Sequence, residues 1–514
     1  MITTNGAMSS VRAAFVLIFV AALSGCATVP LDSPKLSSTA IADTSDTHFG
    51  QAAEGWARLH NGQSGFFPFV NGMDALGARL DMIEKAEKSI DLQYFLMKDD
   101  TAGLVITNGL IGAADRGVRV RFLLDDVFTS ASDRTLLLLS QHPNIEVRLF
   151  NPISRRGLYS LNFVGSFSKA NRRMHNKSFT VDNAVSIVGG RNIADEYFQL
   201  KGDSVFADFD VLAFGEIAKA ISSSFDIYWN HELAIPIEQL LNVEDSESLE
   251  NERSKLAEEA KATYAAIYEE ALSSHLLQDL ISGNQPLFVA DATVIADDPD
   301  KLVNPVGTEY MGLATDVDKI LRQAERELMF ISPYYVPGDD GVQYVRDLVE
   351  KGVRVVVVTN SLASNNHVAV HSGYSGYRKD VIEAGVELYE VRANAGREAQ
   401  GGEGPDVLTL HTKLILIDRR YLFVGSLNLD PRSLEINAEM GLLIDSEELV
   451  GAMATGLEEV IPSIAYRVAV DDNGRLQWQG TIDGESVTEE SEPLAGRWLR
   501  FKAWFLKIAP ERQL

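Results

Sequence analysis

Residues 175–192 read HNKSFTVDNAVSIVGGRN, and the folding of this stretch decides the rest of the chain. Met174 to Val181 has the composition of one β-strand and Ala184 to Val188 of another, with Asp182-Asn183 as a two-residue turn between them. Residues i and i+2 of a strand share a face, so His175 and Lys177 stand side by side. Gly189-Gly190 follows, where backbone can approach a ligand closely, and Asn192 adds an amide. An imidazole, a fixed cation and an amide converging on one spot is what a phosphoryl group requires.

The same pattern returns as HTKLILIDRRYLFVGSLN, with His411, Lys413, Asp418, Gly425, Ser426 and Asn428 in the matching places. The His-to-His offset (411 − 175) and the Asp-to-Asp offset (418 − 182) are both 236. The surrounding chain repeats as well. AEKSIDLQYF from Ala86 parallels AERELMFISPYY from Ala324, and RGVRVRFLL parallels KGVRVVVV with Gly117 opposite Gly352. A whole unit is duplicated.

Within each unit the order is helix, strand, helix, strand. Asp74 to Lys88 has helical periodicity and Ile90 to Leu96 alternates as a strand. A second helix runs to about Asp115, Arg116-Gly117 stops it, and Val118 to Asp126 is the next strand. Ile145 to Phe150 is a further short strand. In the second unit Asp316 to Glu327 is a helix and Leu328 to Tyr334 a strand. A helix from Gly341 to Lys351 then precedes the strand Val353 to Thr359. This β-α-β order predicts an α/β fold: two similar domains, each a mixed, mostly parallel sheet flanked by helices, related by a pseudo-two-fold axis around one composite site. The expected division is 46–284 for the first domain, with a charged helical insertion at 242–280, and 285–514 for the second. Residues 471–493 read as an acidic surface hairpin.

With 514 residues the chain has length for two cores. A formal charge of −27 opposes extended nucleic-acid binding, which wants a basic groove. The N-terminal segment supplies an address. Arg12 precedes an apolar run, Ala13 to Leu23, too short to span a bilayer and laid out as a secretory signal. Leu23-Ser24-Gly25-Cys26 resembles the bacterial lipobox, in which the cysteine becomes the lipidated first residue after cleavage. Cys26 is the only cysteine, so no internal disulfide competes for it. The expectation is a signal peptide over 1–25, a flexible tether over 26–45, and a periplasm-facing lipoprotein held at a membrane, the outer one favoured because Ala27 follows the cysteine. The far end, RWLRFKAWFLK over 497–507, mixes aromatic and cationic residues. That pairing suits a bilayer interface, and equally a helix packed on the body.

The doubled H-x-K-x4-D-x6-G-(G/S)-x-N pattern resembles the signature of the phospholipase D superfamily, and the resemblance covers roughly residue 46 to the end. SGFFPFVNG, GVRVRFLLDD, NRRMHNKSF and NLDPRSLEINAE, with the lipobox, are similar to the bacterial cardiolipin synthase C group. The resemblance implies phosphodiester exchange through a phosphohistidine. His175 is then the nucleophile and His411 the acid and base, with Lys177 and Lys413 offsetting phosphate charge. Asn192, Asn428, Gly189, Gly425 and Ser426 surround the phosphate. Asp182 and Asp418 complete the motif but read better as hairpin-turn residues. An acidic residue after each motif orients the opposite histidine, a role this reading gives to Asp210 and Glu439. No cofactor or metal is implied. The substrate implied is membrane phospholipid, with phosphatidylglycerol as acceptor and phosphatidylethanolamine as a possible partner, giving cardiolipin. Hydrolysis to phosphatidic acid uses the same step, and the motif does not separate the two. A nuclease is opposed by the charge, and an inert scaffold by the completeness of both motif copies. The sequence is silent on oligomeric state.

Smaller signals remain. His367 and His371 lie four apart in HVAVH, without the glutamate of a zinc-protease motif. His371 reads as a loop residue that contacts a substrate headgroup. Arg155, Arg156, Arg172 and Arg173 form a basic stretch that reads either as a receiver of lipid phosphates or as plain charged surface. Gln93-Tyr94 and Pro333-Tyr334-Tyr335 end corresponding strands, where α/β sites gather side chains.

Overall fold

The apolar runs of the first half become strands β1 (Ser64–Phe69), β2 (Ser89–Tyr94), β3 (Arg119–Asp125), β4 (Ile145–Phe150), β5 (Ser178–Val181), β6 (Val185–Gly189), β7 (Ser204–Ala207), β8 (Asp210–Phe214) and β9 (Ala234–Pro236) in a computed structural model of the chain. The second half supplies β10 (Phe288–Ala296), β11 (Glu327–Ile331), β12 (Arg354–Asn360), β13 (Glu387–Val391), β14 (Val407–Leu410), β15 (Leu414–Ile417), β16 (Tyr421–Gly425), β17 (Met440–Asp445), β18 (Ala465–Val470), β19 (Leu476–Ile482) and β20 (Glu485–Glu489). The structure describes residues 34–127, 129, 133–153, 171–200, 204–241, 254, 258, 263, 265–271, 273–306, 312–396, 406–482 and 484–508. Cys26 and the signal segment, Arg155 and Arg156, and most of the 242–280 insertion lie outside these residues.

Hydrogen bonding orders the first sheet β9-β4-β3-β2-β5-β6-β8-β1. The second sheet is β18-β13-β12-β11-β15-β16-β17-β10. The two orders correspond strand for strand, as a duplicated unit requires. One expectation needs correcting. Only β2-β3-β4 and β11-β12-β13 run parallel, and five of the seven pairings in each sheet are antiparallel. The β-α-β order was legible and fixed the parallel trio. Each motif hairpin then adds β5 or β15 antiparallel to the trio, and β6, β8 and β1 (or their counterparts) continue in that sense.

The helix stops work as their glycines require. Gly117 and Gly352 sit at φ +95 and +90, a region open to glycine at no steric cost. Around Gly117, the N–H of Gly117 donates to Ala114 O (2.9 Å) and that of Val118 to Ala113 O (3.1 Å). Gly352 to Val349 O (2.9 Å) and Val353 to Leu348 O (3.0 Å) repeat the arrangement. These are paired Schellman closures that turn each chain into its next strand.

The halves are joined in three ways. β1 pairs antiparallel with β10, uniting the sheets. β7 pairs parallel with β14, a two-stranded ribbon between the halves. Val188, Val211 and Ala213 of the first sheet share one buried cluster with Leu416, Val424 and Leu442 of the second. Burying these apolar faces against each other contributes on the order of 25 cal/mol per Å², so the two lobes meet across a packed seam.

The expected flexible tether is shorter than its composition predicts. From Lys35 onward it lies on the first half, because two buried arginines need acceptors. Arg121 donates to Ser38 O (2.9 Å) and Arg148 to Leu36 O (2.6 Å), while Trp229 Nε1 donates to Ser38 Oγ (2.9 Å). Within the expected hairpin of 471–493, β19 and β20 pair antiparallel and extend the second sheet from β18.

Candidate active site

Each histidine sits just ahead of the first strand of its hairpin, where the chain crosses to the other half. His175 N–H donates to Ala438 O at 2.8 Å, and His411 N–H to Ala207 O at 2.7 Å. The exchange extends to the side chains. His175 Nδ1 lies 2.8 Å from Glu439 Oε2, and His411 Nδ1 lies 2.6 Å from Asp208 Oδ2. Each half therefore lends a carboxylate to the other half's imidazole. With Nδ1–H donating to the carboxylate, Nε2 is left as the basic nitrogen of each ring. Both histidines line one cavity of about 420 Å³, together with Asn192, Asn428, Asp430 and Arg432.

Asp208, not Asp210, is thus the partner of His411, and the sequence assignment of Asp210 is corrected. Asp210 is wholly buried elsewhere, accepting from Arg79 Nη2 at 2.8 Å with Arg191 Nη1 at 3.4 Å. The error is a two-residue slip. β6 pairs Gly189 with Asp210, whereas β16 pairs Gly425 with Gly441. Aligning these partners sets Asp208 opposite Glu439. A slip of two keeps every side chain on its own face of a strand, so the apolar alternation gives no warning of it.

The motif glycines leave room for these carboxylates. A Cβ on Gly190 would lie 2.1 Å from Asp208 Oδ1, and one on Gly189 2.2 Å from Asp210 Oδ1. In the second half Ser426 replaces Gly190 and donates its Oγ–H to Glu439 Oε2, while Ser426 O lies 3.1 Å from His175 Nδ1. A Cβ on Gly425 would meet Met440 O at 2.2 Å.

Lys177 Nζ donates to His175 O, and Lys413 Nζ to His411 O, each at 2.6 Å. Both ammonium groups are therefore held beside their histidines. Aromatic rings fix the imidazoles from the sides: Phe95 edge-on to His175 at 4.7 Å, Phe206 stacked on His411 at 5.3 Å, and Tyr197 edge-on to His411 at 5.1 Å. The sequence reading missed all three, since an apolar residue on a strand or loop carries no mark of what it will face.

Burial dominates the electrostatics. It pushes His175 down to about 4 against the pull of Glu439, and His411 down to about 3 with Lys413 adding to the effect. Lys177 falls to about 7 and Lys413 to about 8, again first through burial. Burial pushes Asp208 and Glu439 up, but the facing histidines and lysines outweigh it and hold both below the usual carboxylate range. Without substrate, burial thus disfavours the charged form of both imidazoles and weakens the basicity of both lysines, while the two carboxylates are held in their ionised form.

Asn192 Nδ2 is placed 2.8 Å from Tyr197 OH and Asn428 Nδ2 3.4 Å from Ser433 Oγ, while both amide oxygens are buried with no partner among the described residues. Asp182 and Asp418 stand apart from the cavity. Asp182 accepts from the backbone N–H groups of Glu87, Lys88 and Ser89 at 2.8–3.1 Å. Asp418 accepts from those of Glu325, Arg326 and Glu327 at 2.7–2.9 Å. Both sit at positive φ in the hairpin turns (+49 and +53). Their place in the motif is that of clamps between the turn and the start of the neighbouring strand.

Other candidates move. His371 lies inside the helix Val368–Glu383, buried, with Nε2 3.1 Å from Arg378 Nη2 and 3.5 Å from Glu492. His367, at the cap of that helix, is the one on the cavity wall. Arg173 is buried against Asp125 (3.2 Å) and Asn151 O (3.1 Å), and Arg172 donates to Leu302 O at 3.3 Å. Neither lines the cavity; among the described residues Arg432 is the arginine that does. Tyr334 reaches the wall and donates to Asn366 Oδ1 at 2.8 Å, whereas Tyr94 donates no side chain to it and holds Arg79 Nε at 3.0 Å. Among the described residues no three His, Cys, Asp or Glu side chains group as metal ligands, and no helix is long and apolar enough to cross a membrane.

Comparison with known proteins meets this geometry. Residues 80–229 and 317–461, one block in each half, match the family described as "Cardiolipin synthase, PLD-like domain". The chain belongs to this family of phospholipase D-like cardiolipin synthases. Cardiolipin synthase C of Escherichia coli is 36% identical over 88% of the chain and 96% of its own length. A cardiolipin synthase of Oceanobacillus iheyensis is 25% identical over 76% of the chain and 67% of its own length. A crystal structure of phosphatidylserine synthase from Haemophilus influenzae shares the fold (TM-score 0.55, 15% identity, 81% of the chain and 91% of that one). As a member of the cardiolipin synthase family, the chain is a phospholipid-modifying phosphatidyltransferase.

Proposed function

We propose that this enzyme makes cardiolipin by moving a phosphatidyl group onto phosphatidylglycerol through a phosphohistidine. The observation that carries the reading is the exchanged pair of histidine–carboxylate contacts, His175–Glu439 and His411–Asp208, on one cavity. His175 Nε2 attacks the phosphorus of the donor lipid. A P–N bond forms, the P–O bond to the headgroup alcohol breaks, and His411, which takes up a solvent proton on Nε2 as the phosphodiester anion enters, gives that proton to the alkoxide. The acceptor hydroxyl then gives its proton to His411 as its oxygen displaces His175, closing the cycle. Glu439 stabilises the cationic phosphoimidazole, and Asp208 does the same for the His411 imidazolium. Lys177 and Lys413 offset the charge on the non-bridging oxygens. The entering phosphodiester anion supports both roles, since its negative charge raises the depressed basicities of His411 and the two lysines.

The asparagines fit the same scheme once their amides are turned. A half-turn of Asn192 would let Tyr197 OH donate to Oδ1, and of Asn428 would let Ser433 OH do so. Each then presents its N–H groups where an oxygen now lacks a partner. The division at about residue 284 belongs to this proposal, each domain supplying one histidine. So does the lipoprotein reading of Cys26, which would keep the enzyme at a periplasm-facing membrane, the outer one favoured.

The test is purified protein with labelled phosphatidylglycerol, alone and with phosphatidylethanolamine, in EDTA. Cardiolipin as the product, lost in His175→Ala and His411→Ala, is expected. Phosphatidic acid alone would replace transfer by hydrolysis, and no product from any phospholipid would end the reading.

A further inference from the structure

The helix Arg497–Leu506 carries a face that nothing in the described structure covers. Trp498 is 74% exposed, Phe501 49%, Trp504 66%, Phe505 55% and Ile508, just past the helix, 78%. At 100° per residue these five fall on one arc of about 120°. Arg500 and Lys507 border the arc on one side and Lys502 on the other, with Arg497 within it, and all four are exposed. A band of large aromatics edged by cations, on a chain of net charge −27, is the composition of an interfacial helix and not of a solvated one.

Its mounting gives the face a purpose. The opposite side, through Leu499 and Ala503, packs on Leu362 and Val368. Val368 opens the helix Val368–Glu383, and its neighbours His367, Ala369 and Val370 line the catalytic cavity. The base is held by polar contacts as well. Arg500 Nη2 donates to Glu492 O at 2.8 Å, and the Glu492 carboxylate accepts from Arg378 at 2.9 Å. Arg378 is buried and also paired with Glu390 at 2.7 Å. An aromatic band on a braced helix thus stands one side chain away from the rim of the cavity.

We infer that this helix docks on a phospholipid bilayer bearing anionic headgroups, with the aromatic band at the headgroup–acyl boundary and its four cations on the phosphates. The occupant is a lipid surface, since a protein partner would not call for cations on both borders of a Trp-rich arc. Docking brings the cavity rim to the membrane, so that a lipid needs to rise only a short way to bring its phosphodiester between the histidines. The choice of substrate rests on the proposed function above; the docking itself does not.

The experiment uses the full-length protein on phosphatidylcholine vesicles, with and without phosphatidylglycerol, carrying bromine on the acyl chains. Tryptophan quenching is expected, stronger with phosphatidylglycerol, and abolished in Trp498→Phe/Trp504→Phe. Trp229 and Trp478 are buried, and Trp56, half-buried in the first half with Nε1 bound to Gln63 O, sets the background against which the double variant is read. A Phe501→Ser/Trp504→Ser/Phe505→Ser variant should turn over vesicle lipid on the order of tenfold or more slowly, from the lost aromatic area. The same variant should turn over a short-chain monomeric phospholipid at the unaltered rate. Absence of quenching in vesicle-bound protein, or an unaltered vesicle rate in the triple variant, overturns the docking. If neither lipid form is turned over by the unmodified protein, the reaction proposal falls, while quenching still decides the docking.

Discussion

Asp208 and Asp210 are two residues apart on one strand approach, yet the structure gives them unrelated tasks, which a pair of isosteric substitutions separates. Asp208→Asn removes the charge that meets His411 Nδ1 at 2.6 Å. A hydrogen bond to a charged group contributes about 1.5–3 kcal/mol, which at about 1.36 kcal/mol per decade is roughly 10- to 150-fold in rate. The asparagine N–H facing Nδ1 also favours the wrong tautomer, so this range is a floor. kcat should fall by that much with thermal stability little altered. Asp210→Asn strands Arg79, which is buried and donates to Asp210 at 2.8 Å. Breaking a buried pair costs about 3–5 kcal/mol, so the melting temperature should drop sharply. The folded fraction should keep a kcat near that of the parent. The assays are cardiolipin formation per folded enzyme and calorimetry on the same preparations. A kcat for Asp208→Asn within threefold of the parent, on the order of 0.7 kcal/mol, would refute the reasoning. So would a collapse of kcat in Asp210→Asn at an unchanged melting temperature.

Three further outcomes are expected. kcat/KM should decline on the alkaline side as Lys177 and Lys413, held at about 7 and about 8, lose their protons; a pH–rate profile still rising at pH 9, about one unit above the higher of the two, would contradict their role. Asp430, buried and capping the helix Pro431–Glu435 through Ser433 N–H at 2.7 Å, is pushed up to about 7 by burial. Its folded state holds the proton more tightly than the unfolded, so its stabilisation is full below the ordinary carboxylate range and is lost as pH rises through about 7. Asp430→Asn keeps the cap and removes the charge, so melting curves should show the variant gaining on the parent between pH 5 and pH 8, roughly either side of that value; a constant gap would contradict it. Asp418→Ala leaves three backbone N–H groups of residues 325–327 without their acceptor, and denaturant titration should show a loss of about 2–4 kcal/mol with kcat of the folded enzyme retained.

The fold and the meeting of the two histidines on one cavity were legible because both repeat. Two copies on one register identify strands, turns and facing residues that a single copy would leave ambiguous. The Gly117 and Gly352 stops were readable because only a glycine passes cheaply through that φ. What failed did so for physical reasons. The Asp210 assignment slipped by two, the one error that strand alternation does not penalise. Nothing local to His371 marks it as helical and buried, because its ring is held by Arg378 and Glu492, residues 7 and 121 positions away. The parallel content was overestimated because helix–strand alternation announces crossovers, whereas the antiparallel partners β8, β6, β17 and β16 are brought in by hairpins and by the other end of the unit. Residues 35–41 were read as tether from their small polar side chains, though what fixes them is the need of Arg121 and Arg148 for acceptors.

The most direct measurement is to trap the covalent intermediate. Full-length unmodified enzyme is mixed with labelled phosphatidylglycerol in EDTA, quenched during turnover in alkali where phosphohistidine survives, digested, and read by mass spectrometry. A phosphatidyl group on His175, absent from His175→Ala, is the expected result. An adduct on His411 alone in the unmodified enzyme, or turnover with no adduct on either histidine, would contradict covalent transfer through His175.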